Sequence, residues 1–325
     1  MDIAAIRQPV AGDLAAVDRI IQHRLQSDVA LINQLGHYII GGGGKRLRPM
    51  ITLLMARAAG YAPGDEQHAL LGATVELIHT ATLLHDDVVD ESAVRRGRDT
   101  ANQIWGNEAS VLVGDFLYTR AFEMMVELDD MAVMTLFSRT TNRIAEGEVM
   151  QLMHIHDPSV TEERYQQVIY RKTAVLFEAG CQLAVGLTGT TDQRRLDAAA
   201  EYGRRLGIAF QLADDALDYD GDADAIGKNI GDDLAEGKPT LPLIHCMANA
   251  GAADRALVRE AIEGGGRGDI RAVAAAIART DSIAYTRRLA EEEADLAIRA
   301  LSAFEESPFR AALEGLAAFA VGRGY

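Results

Sequence analysis

The sequence predicts an all-α protein, and three observations carry that prediction. Apolar residues recur at spacings of three and four through most of the 325-residue chain, the pattern of helices with a buried face. Strand-like alternation bounded by hairpin turns is missing. Breaks between the periodic stretches are short, and alanine, the strongest helix former, is abundant. No Pro/Gly/Ser-rich linker divides the chain, and its 7 prolines are scattered. A single domain over residues 1–325, built as a bundle of about a dozen helices, is therefore expected.

The N-terminal stretch MDIAAIRQPVAGDLAAVDRI lacks a basic start and a sustained apolar run, so it does not read as a secretory leader. Nothing downstream supplies the roughly 18 consecutive apolar residues of a spanning helix. Cys181 and Cys246 have no CxxC spacing, which fits reduced thiols and a cytoplasmic protein. A net charge of −16 repels polyphosphate backbones, so no nucleic-acid partner is expected. An anionic small substrate would have to be received by local cations or by metal.

GGGGKRLRP at 41–49 offers such cations. Its glycines let backbone approach an anion closely, and Lys45, Arg46 and Arg48 follow them. It is not a P-loop, because Ile39 and Arg46 stand where that pattern needs Gly and Ser or Thr. The next stretch, HALLGATVELIHTATLLHDDVVDES, is apolar nearly all round until its last turn, as an inner helix should be. It ends in Asp86, Asp87 and Asp90, and Arg95 and Arg96 follow. DFLYTRAFEMMVELDD reads as another long helix. EERYQQVIYRKTAVLFEAGCQLAVGL carries Lys172 and Thr173, and LDAAAEYGRRLGIAFQLADDALDY ends in Asp214, Asp215 and Asp218. IGKNIGDDLAEGKPTLP adds Lys228, Lys238 and Thr240. The C-terminal third stays helical after one Gly-rich turn.

The repeated DDxxD is the informative feature. On a helix, residues i and i+4 share a face, so each motif presents two carboxylates together with a third nearby. Left uncompensated, they destabilise a helix C-terminus, which is already the negative pole of the helix dipole. A divalent cation removes that cost. Hard oxygen donors in this arrangement suit Mg²⁺, which keeps waters and completes its shell with phosphate oxygens. The surrounding lysines and arginines would complete a metal-bridged diphosphate site.

The histidines carry less. His154 and His156 in MHIHD point to different helix faces, so a metal site there is not expected. His85 is either a partner of the adjacent acidic motif or an ordinary helix-end histidine. DYDGDADAIG at 218–227 has no glutamate at the last position of a calcium loop, and it is read as a loop over the diphosphate.

GGGGKRLRP, LIHTATLLHDDVVDESAVRRG, GDFLYTRAF, EGEVMQL, YRKTAVLF, FQLADDALDY and NIGDDLAEGKPTLP, in this order, resemble the trans-isoprenyl diphosphate synthases. The likeness is greatest to the long-chain branch that makes octaprenyl, solanesyl and decaprenyl diphosphates for quinone tails. The resemblance runs from about residue 30 to the C-terminus. It implies an isoprenoid-synthase-type bundle around a deep central cavity, and a Mg²⁺-dependent prenyltransferase that condenses isopentenyl diphosphate onto an allylic primer such as farnesyl diphosphate.

The resemblance also implies residue roles. Asp86, Asp87, Asp90, Asp214 and Asp218 would hold Mg²⁺, about three ions with substrate bound, with Asp86 and Asp90 the principal ligands of the first motif. Asp215 and Lys172 would join them in the catalytic set. Lys45, Arg48, His79 and Arg96 would bind isopentenyl diphosphate, and Arg95 would reach the allylic diphosphate. Lys172, Thr173 and Gln211 would line the allylic substrate, with Lys228 and Lys238 closing over its diphosphate. A homodimer is implied, as is transient contact with a membrane surface during product release, without stable insertion.

Product length is expected to be read by the helix before the first motif. Short-chain members plug the tunnel with a bulky aromatic one turn before the motif. Ala81 and Thr82 stand there, with Ile78 a further turn back, so a product longer than geranylgeranyl is expected. Phe122, Met124 and Met125 are candidates for the floor, although core filling is the commoner use of such residues. The rival readings are a shorter-chain synthase, a class I terpene cyclase and a regulatory subunit. The second DDxxD and GGGGKRLRP count against the cyclase, and the intact aspartates of both motifs count against the subunit.

Overall fold

The computed structural model describes residues 2–42, 44–62, 64–95, 97–219, 231–265 and 270–322. The chain divides into two compact units. The first comprises Met1–Thr141, Ala179–Ala200 and Ser302–Leu313, and the second Asn142–Glu178, Glu201–Leu301 and Glu314–Tyr325. Most of the described chain is helical, as its periodicity requires.

In the first unit, α1 (Ile3–Arg7), α2 (Ala11–Arg24), α3 (Ala30–Gly41) and α4 (Leu47–Ala58) lead to α5 (Gln67–Val89). After α6 (Ala101–Trp105) come α7 (Asn107–Glu127) and the start of α8 (Met131–His154). Helix α5 is the inner element and packs against α2, α4 and α7. Leu71, Leu77, Ile78 and Ala81 on it are wholly buried, which is why its sequence is apolar on every side. Each of the leucine and isoleucine side chains contributes roughly 1.5–3 kcal/mol on burial. A polar tie joins α2 to α4: Nη2 and Nε of Arg57 donate to the two carboxylate oxygens of Asp13 at 2.6 and 2.8 Å.

One element was not anticipated. Val94–Arg95 pairs antiparallel with Arg98–Asp99. Strands of two residues are too short to show alternation, but Gly97 at φ 72° supplies the positive φ that a two-residue hairpin turn needs.

The second unit holds the end of α8, then α9 (Glu162–Ile169), a single π-helical turn at Tyr170–Ala174, and the start of α10 (Val175–Gly186). Most of α11 (Gln193–Leu217) follows, with α12 (Asp232–Ala235), α13 (Leu241–Asn249), α14 (Ala252–Glu263), α15 (Ile270–Arg279), α16 (Ser282–Ala300) and the end of α17 (Pro308–Val321). Thr161 caps α9 by accepting from the Arg164 amide. One core cluster gathers Leu234, Leu243, Val258, Ile262, Val273 and Ile277 from α12 to α15. A second gathers Tyr165, Ile169, Leu212, Leu241 and Ile244.

Cys181 and Cys246 are buried and form no disulfide. Among the described residues, no helix is long and apolar enough to cross a membrane.

Candidate active site

The first acidic motif closes α5. Asp86 and Asp90 are one helical turn apart, since the Asp90 amide donates to the Asp86 carbonyl at 2.8 Å, and both side chains are half-buried. Asp87 differs. It is 5% exposed, and its Oδ1 accepts from Nε of Arg95 at 2.7 Å. Burial raises the pKa of Asp87 above the ordinary carboxylate value; Arg95 opposes that shift and the neighbouring Asp86 and Asp90 add to it. Asn102 donates to the Asp87 and Ser92 carbonyls at 3.1 and 3.3 Å, which fixes the chain as it leaves the helix for the hairpin.

Behind this motif, His85 lies across α7. Its Nε2 donates to the Val111 carbonyl at 3.2 Å and stands 3.3 Å from Oδ1 of Asp115. A Cβ on Gly114 would come within 2.3 Å of that nitrogen, so the glycine of GDFLY makes room for the ring. His85 therefore ties the end of α5 to α7.

The basic loop divides by role. Arg46 has φ 48°, in the left-handed region that non-glycine residues seldom adopt. Its side chain is held inside the unit by Glu76 at 2.7 Å and Asp18 at 3.3 Å. Lys45 is exposed. Nη1 of Arg48 donates to Nε2 of half-buried His79 at 2.9 Å. Arginine can only donate, so His79 presents an unprotonated Nε2. Arg48 and His79, from α4 and α5, thus meet. Arg96 lies outside the described residues. Ala81 and Ile78 are fully buried along α5, and Thr82 donates to the His79 carbonyl at 2.8 Å.

The second motif repeats the arrangement of the first. The Asp218 amide donates to the Asp214 carbonyl at 3.1 Å, and both side chains are half-buried. The middle residue, Asp215, is 2% exposed. Its Oδ2 accepts from the Tyr165 hydroxyl, and its Oδ1 accepts from Nε2 of Gln211 at 2.8 Å. Oε1 of Gln211 in turn accepts from the Thr173 hydroxyl at 3.1 Å. Burial, with the nearby charge of Asp233, pushes the Asp215 carboxyl well above its ordinary range against the opposing hydrogen bonds from Tyr165 and Gln211. Burial likewise raises the Tyr165 hydroxyl.

Lys172, Thr173, Gln211, Asp215 and Lys238 line one cavity of the second unit together with Asp233. The π-helical turn carries Lys172 and Thr173, and such turns often mark functional sites. It can sit there because Gly147 of α8 has no side chain: a Cβ would lie 2.7 Å from the Lys172 amide nitrogen. Nζ of Lys172 donates to Oε2 of Glu148 at 2.7 Å. Nζ of Lys238 lies 2.6 Å from Oε2 of Glu236. The cavity, of about 140 Å³, is smaller than the roughly 300–1,000 Å³ of most small-molecule sites.

Lys228 lies outside the described residues, as does most of the loop at 218–227. His156 is a packing residue: its Nδ1 donates to the Ile262 carbonyl at 3.0 Å, and its ring fills the space beside Gly237 and Gly265. Sequence reasoning gave no role to Glu148, Tyr165 or Asp233. Glu148 stood inside the quoted EGEVMQL, whereas Tyr165 meets Asp215 only through the tertiary fold.

Each DDxxD thus carries two half-buried carboxylates one turn apart. Among the described residues no three His, Cys, Asp or Glu side chains converge on a metal position. The donor set fits Mg²⁺ sharing its shell with water and phosphate oxygens. An all-α chain with twin acidic helix ends, each near basic side chains, has the architecture of an enzyme of the isoprenoid-synthase class.

The polyprenyl synthetase family model matches residues 29–279. The octaprenyl diphosphate synthase of Escherichia coli is 53% identical over 99% of this chain and 99% of its own. A polyprenyl synthase from Caulobacter crescentus, solved with calcium and isoprenyl diphosphate, superposes with a TM-score of 0.94 at 44% identity, covering 100% of this chain and 98% of that one. A decaprenyl diphosphate synthase from Rhodobacter capsulatus gives 0.93 at 43% identity, with 100% of both chains covered. The chain belongs to the polyprenyl synthetase family and is a prenyltransferase.

Proposed function

We propose that the protein is a long-chain trans-polyprenyl diphosphate synthase that adds isopentenyl diphosphate repeatedly, by 1'-4 condensation, to an allylic diphosphate such as farnesyl diphosphate. The observation that carries this reading is the twofold recurrence of one device: a half-buried i, i+4 carboxylate pair beside a buried, hydrogen-bonded third aspartate. Asp86 with Asp90, and Asp214 with Asp218, would hold Mg²⁺, about three ions in the loaded enzyme. The metal would supply charge stabilisation for the departing allylic diphosphate.

The protein's own residues then have separate tasks. Arg95, Lys172 and Lys238 neutralise the allylic diphosphate, while Lys45 and Arg48, with His79, hold the diphosphate of the second substrate so that its double bond attacks the allylic carbon. Lys228 and Arg96 are assigned to the same diphosphates. Buried Asp87 and Asp215 orient their neighbours. Thr173 and Gln211 set the position of Asp215. No protein nucleophile is required, because the allylic carbon ionises and the departing diphosphate takes the proton.

The family model runs through both units, which supports reading residues 1–325 as one synthase domain. A homodimer in the cytoplasm, touching membrane transiently to release a quinone side-chain precursor, completes the proposal.

Incubating the purified protein with farnesyl diphosphate, labelled isopentenyl diphosphate and Mg²⁺, then separating products by chain length, tests it. Products beyond geranylgeranyl that vanish on adding EDTA are expected. Absence of elongation, or elongation indifferent to EDTA, would overturn the reading.

A further inference from the structure

Tyr38, near the end of α3, joins two segments whose cations are assigned above to diphosphates. The guanidinium carbon of Arg98 sits 4.1 Å from the centre of the Tyr38 ring. The Tyr38 hydroxyl donates to the Asp99 carbonyl at 2.8 Å. Trp105 of α6 packs edge-on against the same ring, with centroids 5.1 Å apart. A Cβ on Gly42 would lie 3.2 Å from Nη1 of Arg98, so this glycine of the basic loop runs against that guanidinium. The strand that holds Arg98 pairs with the strand that holds Arg95, and Arg95 grips Asp87.

From this contact chain we infer that Tyr38 and Arg98 form a clasp that fixes the GGGGKRLRP loop against the Val94–Asp99 hairpin, so that Arg98 is a positioning residue for anion binding. The inference rests on the synthase reading. The physical reason is local. Gly41, Gly42 and Gly44 impose little conformational preference of their own, and a hairpin of two residues per strand is at best marginally stable by itself. A cation over an aromatic face, with a hydroxyl bonded to the adjacent strand, supplies the missing restraint. Arg98 does this without joining the aspartates itself.

The test uses the full chain with Arg98→Leu, Arg98→Lys, Tyr38→Leu and Tyr38→Phe. Two quantities are measured: KM and kcat for isopentenyl diphosphate, and Kd for inorganic pyrophosphate by calorimetry without turnover. Arg98→Leu and Tyr38→Leu should each raise KM and Kd about three- to fivefold with kcat little changed, while Arg98→Lys and Tyr38→Phe, which keep cation and ring, stay near wild type. If Tyr38→Leu binds like wild type while Arg98→Leu is weakened, Arg98 acts as a direct phosphate ligand and the clasp is wrong. If neither leucine variant changes KM or Kd, or if only kcat falls, it is also wrong. Failure of the wild type to elongate would instead sink the synthase reading, and the pyrophosphate titration would still decide the clasp.

Discussion

Nε of Arg95 donates to Oδ1 of Asp87 across 2.7 Å, and this contact separates Asp87 from the Asp86 and Asp90 carboxylates on either side of it. In the proposed function the outer pair would hold Mg²⁺. Asp86→Ala and Asp214→Ala should each lower turnover by about 10²-fold or more while far-ultraviolet circular dichroism stays that of the wild type. Near-normal rates in either variant would remove the metal assignment.

The buried middle residue should behave differently. Asp215→Ala strands the Tyr165 hydroxyl and the Gln211 amide, both of which donate to it. Leaving buried donors unmatched costs about 1–3 kcal/mol. Urea unfolding should therefore show Asp215→Ala to be less stable than Asp214→Ala. Equal stabilities would mean that the Tyr165–Asp215–Gln211 chain does not hold α11 in place.

Gly147 is the point at which the π-helical turn can be tested. In Gly147→Ala the new methyl would lie 2.7 Å from the Lys172 amide nitrogen and 2.9 Å from Cβ of Arg171. Backbone must move, at a cost of about 1–3 kcal/mol, and it carries Lys172 with it. Turnover should fall about tenfold or more, since small displacements of a charged group are expensive in catalysis. A fully active Gly147→Ala enzyme would show that the turn tolerates displacement.

Product length provides a separate check. Ala81 is wholly buried one turn before Asp86, so Ala81→Phe places an aromatic ring where the growing chain is proposed to pass. Chromatography of the products should show shorter chains at similar initial rates. An unchanged product distribution would mean that the chain grows along another path.

Stability toward acid should depend on Asp13. Burial alone would raise its pKa, but hydrogen bonds from Arg57 and His68 outweigh that and hold it below the ordinary 3.8. A depressed folded-state pKa stabilises the fold above 3.8, and that contribution disappears as the pH falls through the folded value. In urea titrations, Asp13→Asn should therefore be less stable than wild type near neutrality, and the gap should close on acidification below about pH 4. A gap that widens with acid would contradict the assignment.

The sequence by itself determined the helical class, the two acidic helix ends and most of the cations around them, because these depend on local periodicity and on spacing along one helix. Asp86 with Asp90, and Asp214 with Asp218, are one turn apart in any helix that contains them. That Arg48 and His79 belong to one site was implied by the family resemblance. Only the tertiary structure separated the roles within each cluster. Arg46 is spent on Glu76 and Asp18, Asp87 on Arg95, and Asp215 on Tyr165 and Gln211. The hairpin, the π-helical turn over Gly147 and the Tyr38–Arg98 contact were likewise invisible beforehand. The physical reason is that burial and hydrogen-bond partners belong to residues brought together from distant parts of the chain, and no one-dimensional period encodes which of several adjacent carboxylates will be turned inward.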